Sequence, residues 1–213
     1  LLAVRLPALA QAIGLRVDGD QLEELSAPAL EEADQIDVRA PQLTTLAFDN
    51  LRTVRTALSL ADAQLTDLSG LRSIRSAALL RLSNLDQLRD LTGMSELSEA
   101  SSVIVQYNAQ LRSLQGAERL TQLSGSLEVI GNPSLETLAD LGQLTHVGGV
   151  LDIDTNGSLR DVALSSLLSV GGGLQIRAGN VLSSLDGLSA LVAVNLPITL
   201  QDLPLISEEE IQA

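Results

Sequence analysis

One pattern recurs from end to end of this 213-residue chain. It is an apolar-x-apolar triplet, a short polar gap, and a second apolar pair. Leu15-Arg-Val17, Ile36-Asp-Val38, Leu58-Ser-Leu60, Leu80-Arg-Leu82 and Val103-Ile-Val105 are the first five triplets. Leu127-Glu-Val129, Leu151-Asp-Ile153, Leu174-Gln-Ile176 and Ile198-Thr-Leu200 complete the set. Their first residues lie 21, 22, 22, 23, 24, 24, 23 and 24 apart. A triplet that alternates apolar and other residues has the period of a strand with one face buried. After each triplet the apolar spacing changes to three, as in Leu138, Leu141, Leu144, Val147. Such a spacing suits a chain turning a corner in short extended or 3₁₀ pieces. Gly125, Gly148-Gly149 and Gly171-Gly172-Gly173 follow in several copies, and glycine permits a tight bend there.

A single rung of this kind cannot bury its own leucines, but stacked rungs bury each other's. That gives the 46 leucines, among 213 residues with no Trp and no Cys, a structural cause. Leucine fills a narrow stacked core in which larger rings would force a bulge. Nine rungs at a strand spacing of ~4.8 Å make a rod of about 38 Å. A second column supports the register. Asn84, Asn108, Asn132, Asn156 and Asn180 are spaced by 24. Asn108, Asn132 and Asn156 fall three residues past their triplets, while Asn84 and Asn180 are shifted by one either way. Asparagine at a corner satisfies backbone groups of its own and the next rung, so the column reads as turn chemistry, not a ligand ladder.

The stretch SLEVIGNPSLETLADLGQLTHVGGVLDIDTNGSLRDV, Ser126 to Val162, resembles the receptor L-domain family. The resemblance lies in an L-x-I-x-x-N-x-x-L-x-x-L core followed by L-x-x-L-x-x-V-G-G, and the period is also that of leucine-rich repeats. It extends over nearly the whole chain and is weakest before about residue 57, where the gap after the strand is shorter and the glycine corner is missing. The expected fold is therefore mainly β, a right-handed β-helix-like or leucine-rich-repeat-type solenoid of about nine rungs with period 21–24. Residues 1–12 are expected to be an N-terminal cap or partial rung, 13–205 the solenoid, and 206–213 a C-terminal cap. Leu2, Leu6 and Leu9 recur around Pro7 at helix-like spacing, and Ser207 is placed to cap a last helical turn. The resemblance implies a secreted or surface-attached recognition module without catalytic activity. It transfers no binding residue, because the shared motif is all core and corner.

Composition narrows the function further. Thirteen Arg, no Lys and 27 acidic residues leave a net charge of −14, which opposes binding to nucleic acid or anionic lipid. Without Cys there is no disulfide framework, thiolate metal site or thiol nucleophile. No apolar run is long enough for a membrane-spanning helix, so no direct membrane insertion is expected. An Arg-only, Ala- and Leu-rich composition is that of a GC-rich, bacterial genome.

His146 is the only histidine, so neither a triad nor a histidine metal site has its partners. It is expected on the solvent side. Asp152-x-Asp154-x-Asn156-Gly157 matches the opening of a calcium loop, but the twelfth position is Ala163 where a bidentate Glu belongs. No cofactor, metal or catalytic residue is assigned. Glu128, Asp152 and Asp154 form a candidate acidic patch on consecutive rungs. Three carboxylates together suit a glycosidase, but sugar sites usually offer stacking aromatics, of which the chain has almost none, only Phe48 and Tyr107, and Arg177 stands ready to neutralise Asp154. Ile104, Tyr107 and Ile130 break an otherwise polar outward face and are the candidate protein contact. The expected function is thus a non-catalytic protein-interaction or adhesion module, at the cell surface or extracellular, with a protein partner and with self-association allowed. A carbohydrate-active β-helix enzyme or a structural spacer is the alternative.

Overall fold

The computed structural model describes residues 2–177 and 181–206. The chain is a parallel β-solenoid of about nine turns, mainly β. The strands are β1 (Leu2–Arg5), β2 (Gln11–Asp18), β3 (Leu22–Ser26), β4 (Glu32–Arg39), β5 (Thr45–Ala47) and β6 (Thr53–Ala61). They continue as β7 (Ser76–Ser83), β8 (Glu99–Gln106), β9 (Gln122–Leu123), β10 (Leu127–Ile130), β11 (His146–Val147) and β12 (Leu151–Asp154). β13 (Ser169–Val170), β14 (Leu174–Arg177), β15 (Ala193–Val194) and β16 (Ile198–Gln201) complete the set.

The nine triplets stack in register. Leu15 pairs with Ile36, Ile36 with Leu58, Leu58 with Leu80, and Leu80 with Val103. The column continues through Leu127, Leu151 and Leu174 to Ile198. The inward residues of the triplets from Ile36 to Ile176 keep 3% or less of their surface exposed. A one-residue slip in any rung would turn its whole apolar set outward, so the buried face fixes the register.

The main sheet changes character halfway. β2, β4, β6, β7 and β8 run eight or nine residues without a break. At β8 it forks. β9, β11, β13 and β15 form one branch, and β10, β12, β14 and β16 the other. The cause is the glycine corner. Gly125 N donates to Ser101 O, Gly149 N to Gly125 O and Gly172 N to Gly149 O, so the corner backbones lie directly on one another. A Cβ on Gly172 would stand 2.6 Å from the Gly149 carbonyl carbon. Earlier rungs lack these glycines and make the same bend with bulges, as between Val54 and Ala57.

The opposite side begins as the sheet β1-β3-β5 and then dissolves into corners. Side-chain caps accompany the change, and isolated bridges from Thr137 to Asp161 and from Asp161 to Ser184 are what remains of the pairing. Asp67, Asp90, Ser113, Thr137, Asp161 and Ser184 each accept from the backbone N–H two residues on. These Asx and Ser/Thr turns compete with extended pairing. Four of them lead into 3₁₀ turns at Ser69–Leu71, Thr92–Met94, Ala139–Leu141 and Asp186–Leu188. In the first rungs the slot holds Glu24 and Thr45, and the chain stays extended as β3 and β5.

The helix-like spacing of Leu2, Leu6 and Leu9 does not produce a helix. Leu2–Arg5 form β1, which pairs with β3, and Leu6 N bonds Ser26 O before the turn into β2. Pairing with an existing edge strand outweighs a spacing interrupted by Pro7. Asn180 and the Ser207 cap lie outside the described residues. No described helix is long and apolar enough to cross a membrane.

Candidate functional site

The asparagine column is structural where it is described. Asn108, Asn132 and Asn156 are fully buried. Asn132 Nδ2 donates to Val105 O at 3.0 Å, and Asn156 Nδ2 to Val129 O at 2.8 Å. Each Oδ1 accepts from the preceding rung, Asn132 Oδ1 from Asn108 N and Asn156 Oδ1 from Asn132 N. Asn156 is thereby committed to the ladder, its Oδ1 already accepting from Asn132. Asn84 belongs to a different column. It is exposed, bonds Asp62 Oδ1 at 2.7 Å and has a φ of +53°.

The three carboxylates occupy neighbouring outward slots. Glu128 pairs in register with Asp152, which pairs with Gln175. Arg177 reaches Asp154 at 3.1 Å. Asp152 Oδ1 is buried and has no hydrogen-bond partner among the described residues. Desolvation pushes the Asp152 carboxyl above its ordinary range. Arg177 opposes that shift and Asp154 adds to it.

A carboxyl whose folded pKa is raised holds its proton longer in the folded state. Stability is therefore lost as pH rises from the ordinary aspartate range through the raised value. Asp152→Asn is expected to raise Tm at pH 7 and to leave it unchanged at pH 3. Equal gains at both pH values in thermal melts would locate the benefit elsewhere than the buried charge.

Ile104 keeps only 8% of its surface exposed and Ile130 is half-buried. Tyr107 is 54% exposed and holds a φ of +58°, in the left-handed column with Asp62, Asn84, Gly131 and Thr155. Its ring lies on Gly131, where a Cβ would meet Cδ1 at 2.5 Å. Of the three candidates for a protein contact, Tyr107 alone presents a large surface to solvent.

A larger feature escaped the sequence reading. A trough of about 750 Å³ crosses six rungs along the solenoid axis. At a strand spacing of ~4.8 Å its five steps span about 24 Å. One column of its lining is Ala78, Ser101, Ser124, Gly148 and Gly171, and the other is Ser76, Glu99, Gln122, His146 and Ser169. His146 thus opens β11 on this trough, exposed, with Nδ1 2.8 Å from Thr145 Oγ1. Arg55 closes one end, reaching Asp34 at 2.9 Å and Glu32 at 2.5 Å. A signal was present. The positions from Ala78 to Gly171 recur every 23 or 24 residues and all carry small side chains.

No family model matches the chain, and no curated protein matches it.

Proposed function

We propose that this chain is a non-catalytic recognition module that binds a protein partner in extended form along the trough. The reading includes a cell-surface or extracellular setting and a kinship with receptor L domains. The observation that carries it is the trough itself. Five of its six rungs align a floor of Ala, Ser and Gly, over which another main chain can approach closely. The hydroxyls of Ser76, Ser101, Ser124 and Ser169 and the amide of Gln122 supply donors and acceptors for its peptide groups. Arg55 is already neutralised by Glu32 and Asp34, so the floor offers no cationic point to an anionic ligand. None of the lining residues is Phe, Tyr or Trp, which favours a peptide over a sugar chain that would stack on a ring.

The test uses phage-displayed peptides selected on the wild-type chain, with a glycan array beside them. Ser101→Arg with Ser124→Arg fills the floor with two exposed side chains. It is expected to weaken the selected peptides by at least about tenfold, or ~1.4 kcal/mol. Tyr107→Ala, at the other end of the strand, is expected to leave them unchanged. Peptides that ignore the filled trough, or a response only to glycans, would remove this reading.

A further inference from the structure

We infer that the trough holds its peptide as a left-handed polyproline II helix, with a Lys or Arg side chain set against Glu99; this rests on the peptide reading of the trough. The floor first excludes strand addition. Its main chain is bonded from rung to rung, with Gly125 N donating to Ser101 O, Gly148 N to Leu123 O and Gly171 N to Val147 O. The trough crosses the strands and runs along these bonds. A peptide lying in it therefore meets side chains, whereas strand addition needs the free N–H and C=O groups of an edge. A polyproline II helix needs no such edge, because its backbone has no internal hydrogen bonds and leaves its carbonyls open to hydroxyls and water.

Spacing selects the same conformation. Two rungs advance about 9.6 Å. One turn of polyproline II, roughly three residues at ~3.1 Å each, advances about 9.3 Å. Every third residue of such a helix therefore faces one column on alternate rungs, and over the trough the drift stays under about 1 Å. In a β-strand, residues on one face recur at about 6.6 Å, which falls between one rung and two. Charge then picks the side chain. The ionisable lining residues are Arg55, Glu99 and His146. Arg55 is held by Glu32 and Asp34. Glu99 is exposed and makes no ion pair among the described residues. Arg75, whose carbonyl accepts from Glu99 N, is exposed as well and does not neutralise it. Glu99 stands on the third of the six rungs, so the basic residue falls near the middle of the peptide. The net charge of −14 adds a general attraction for a cationic ligand. The lining has no aromatic residue to hold proline rings, so recognition falls on the pitch of the helix and on this one side chain.

The test is fluorescence anisotropy of the whole chain with labelled nonapeptides. The probe is Pro-Pro-Ala-Pro-Pro-Lys-Pro-Pro-Ala. One control puts Glu in place of Lys, and the other replaces each Pro-Pro by Thr-Val, which favours a strand. The probe is expected to bind about tenfold tighter than either control and to weaken with salt. Glu99→Gln is expected to weaken it about fivefold and to leave the Glu control no weaker than before. Glu99 is exposed, so an unchanged melting curve shows that the variant is folded. An unbound probe, equal binding of the Thr-Val control, equal binding of the Glu control, or indifference to Glu99→Gln would overturn this inference. The peptide reading itself survives those results if Ser101→Arg with Ser124→Arg still releases the phage-selected peptides, and falls with the inference if it does not.

Discussion

Gly116→Ala is expected to destabilise the solenoid by about 3 kcal/mol or more, against little change for Gly14→Ala. Two costs combine at this one position. Gly116 has a φ of +108°, which side chains bearing a Cβ rarely adopt. A Cβ there would also overlap the carbonyl of Leu91 and approach Thr92 N to 2.8 Å. Backbone atoms, unlike a side-chain tip, have no rotamer to yield into. Relief would have to separate two rungs, which would strain the bond from Leu91 N to Gln115 O in the same corner. Gly14 has nothing within 4 Å of its Cβ direction, so the same methyl group finds open space. Urea denaturation monitored by far-UV circular dichroism gives both values. Matching midpoints for the two variants would mean that the corner is looser than its backbone contacts indicate.

Gly116 also shows where sequence reading stopped. Gly70, Gly93 and Gly116 recur every 23 residues and pack against the corner backbone of the rung before. In the sequence glycine stands out at the corner before three of the triplets, where Gly148-Gly149 and Gly171-Gly172-Gly173 run together. A lone glycine per rung carries the same message more quietly. The column from Asp67 to Ser184 was equally regular, but its residue type varies among Asp, Ser and Thr. The common property is a side-chain oxygen two residues before a free N–H, and that appears only when chemistry, not identity, is aligned.

Register was legible because it follows from the apolar period, which has one answer once a face must be buried. The asparagine column was half legible. Asn84 shares its spacing with Asn108 but sits one position earlier relative to the triplet. That single step moves it from a buried slot to the exposed left-handed corner occupied by Tyr107 and Gly131 in later rungs. Asparagine serves both, accepting and donating in the first and tolerating positive φ in the second. The trough was not legible as a hollow. Its floor residues are small, but concavity comes from how the main sheet bends where it forks, and no single side chain encodes that. The patch inferred from Ile104, Tyr107 and Ile130 rested on strand alternation. Alternation gives direction but not exposure, and Ile104 points outward while standing in register between Arg81 and Glu128.

Asn132→Ala is expected to cost about 3–5 kcal/mol, while Asn84→Ala stays within about 1 kcal/mol. Asn132 is the middle member of the buried ladder and serves both neighbours. Its Oδ1 accepts from Asn108 N at 3.1 Å and from Asn108 Nδ2 at 3.0 Å. Its Nδ2 donates to Val105 O at 3.0 Å and to Asn156 Oδ1 at 3.2 Å. Alanine removes these bonds and strands Asn108 N, whose partner is Asn132 Oδ1. A buried group without a partner costs its full desolvation, which exceeds the net gain of an ordinary hydrogen bond. The loss spreads across three rungs, because a stacked array is held by nearest-neighbour interfaces. Asn84 is exposed, and water replaces its bond to Asp62. Urea midpoints rank the two variants, and hydrogen exchange locates the damage. Protection of the Asn108 amide should fall in Asn132→Ala and persist in Asn84→Ala. If the two variants lose the same stability, the buried amides are satisfied by something other than the ladder.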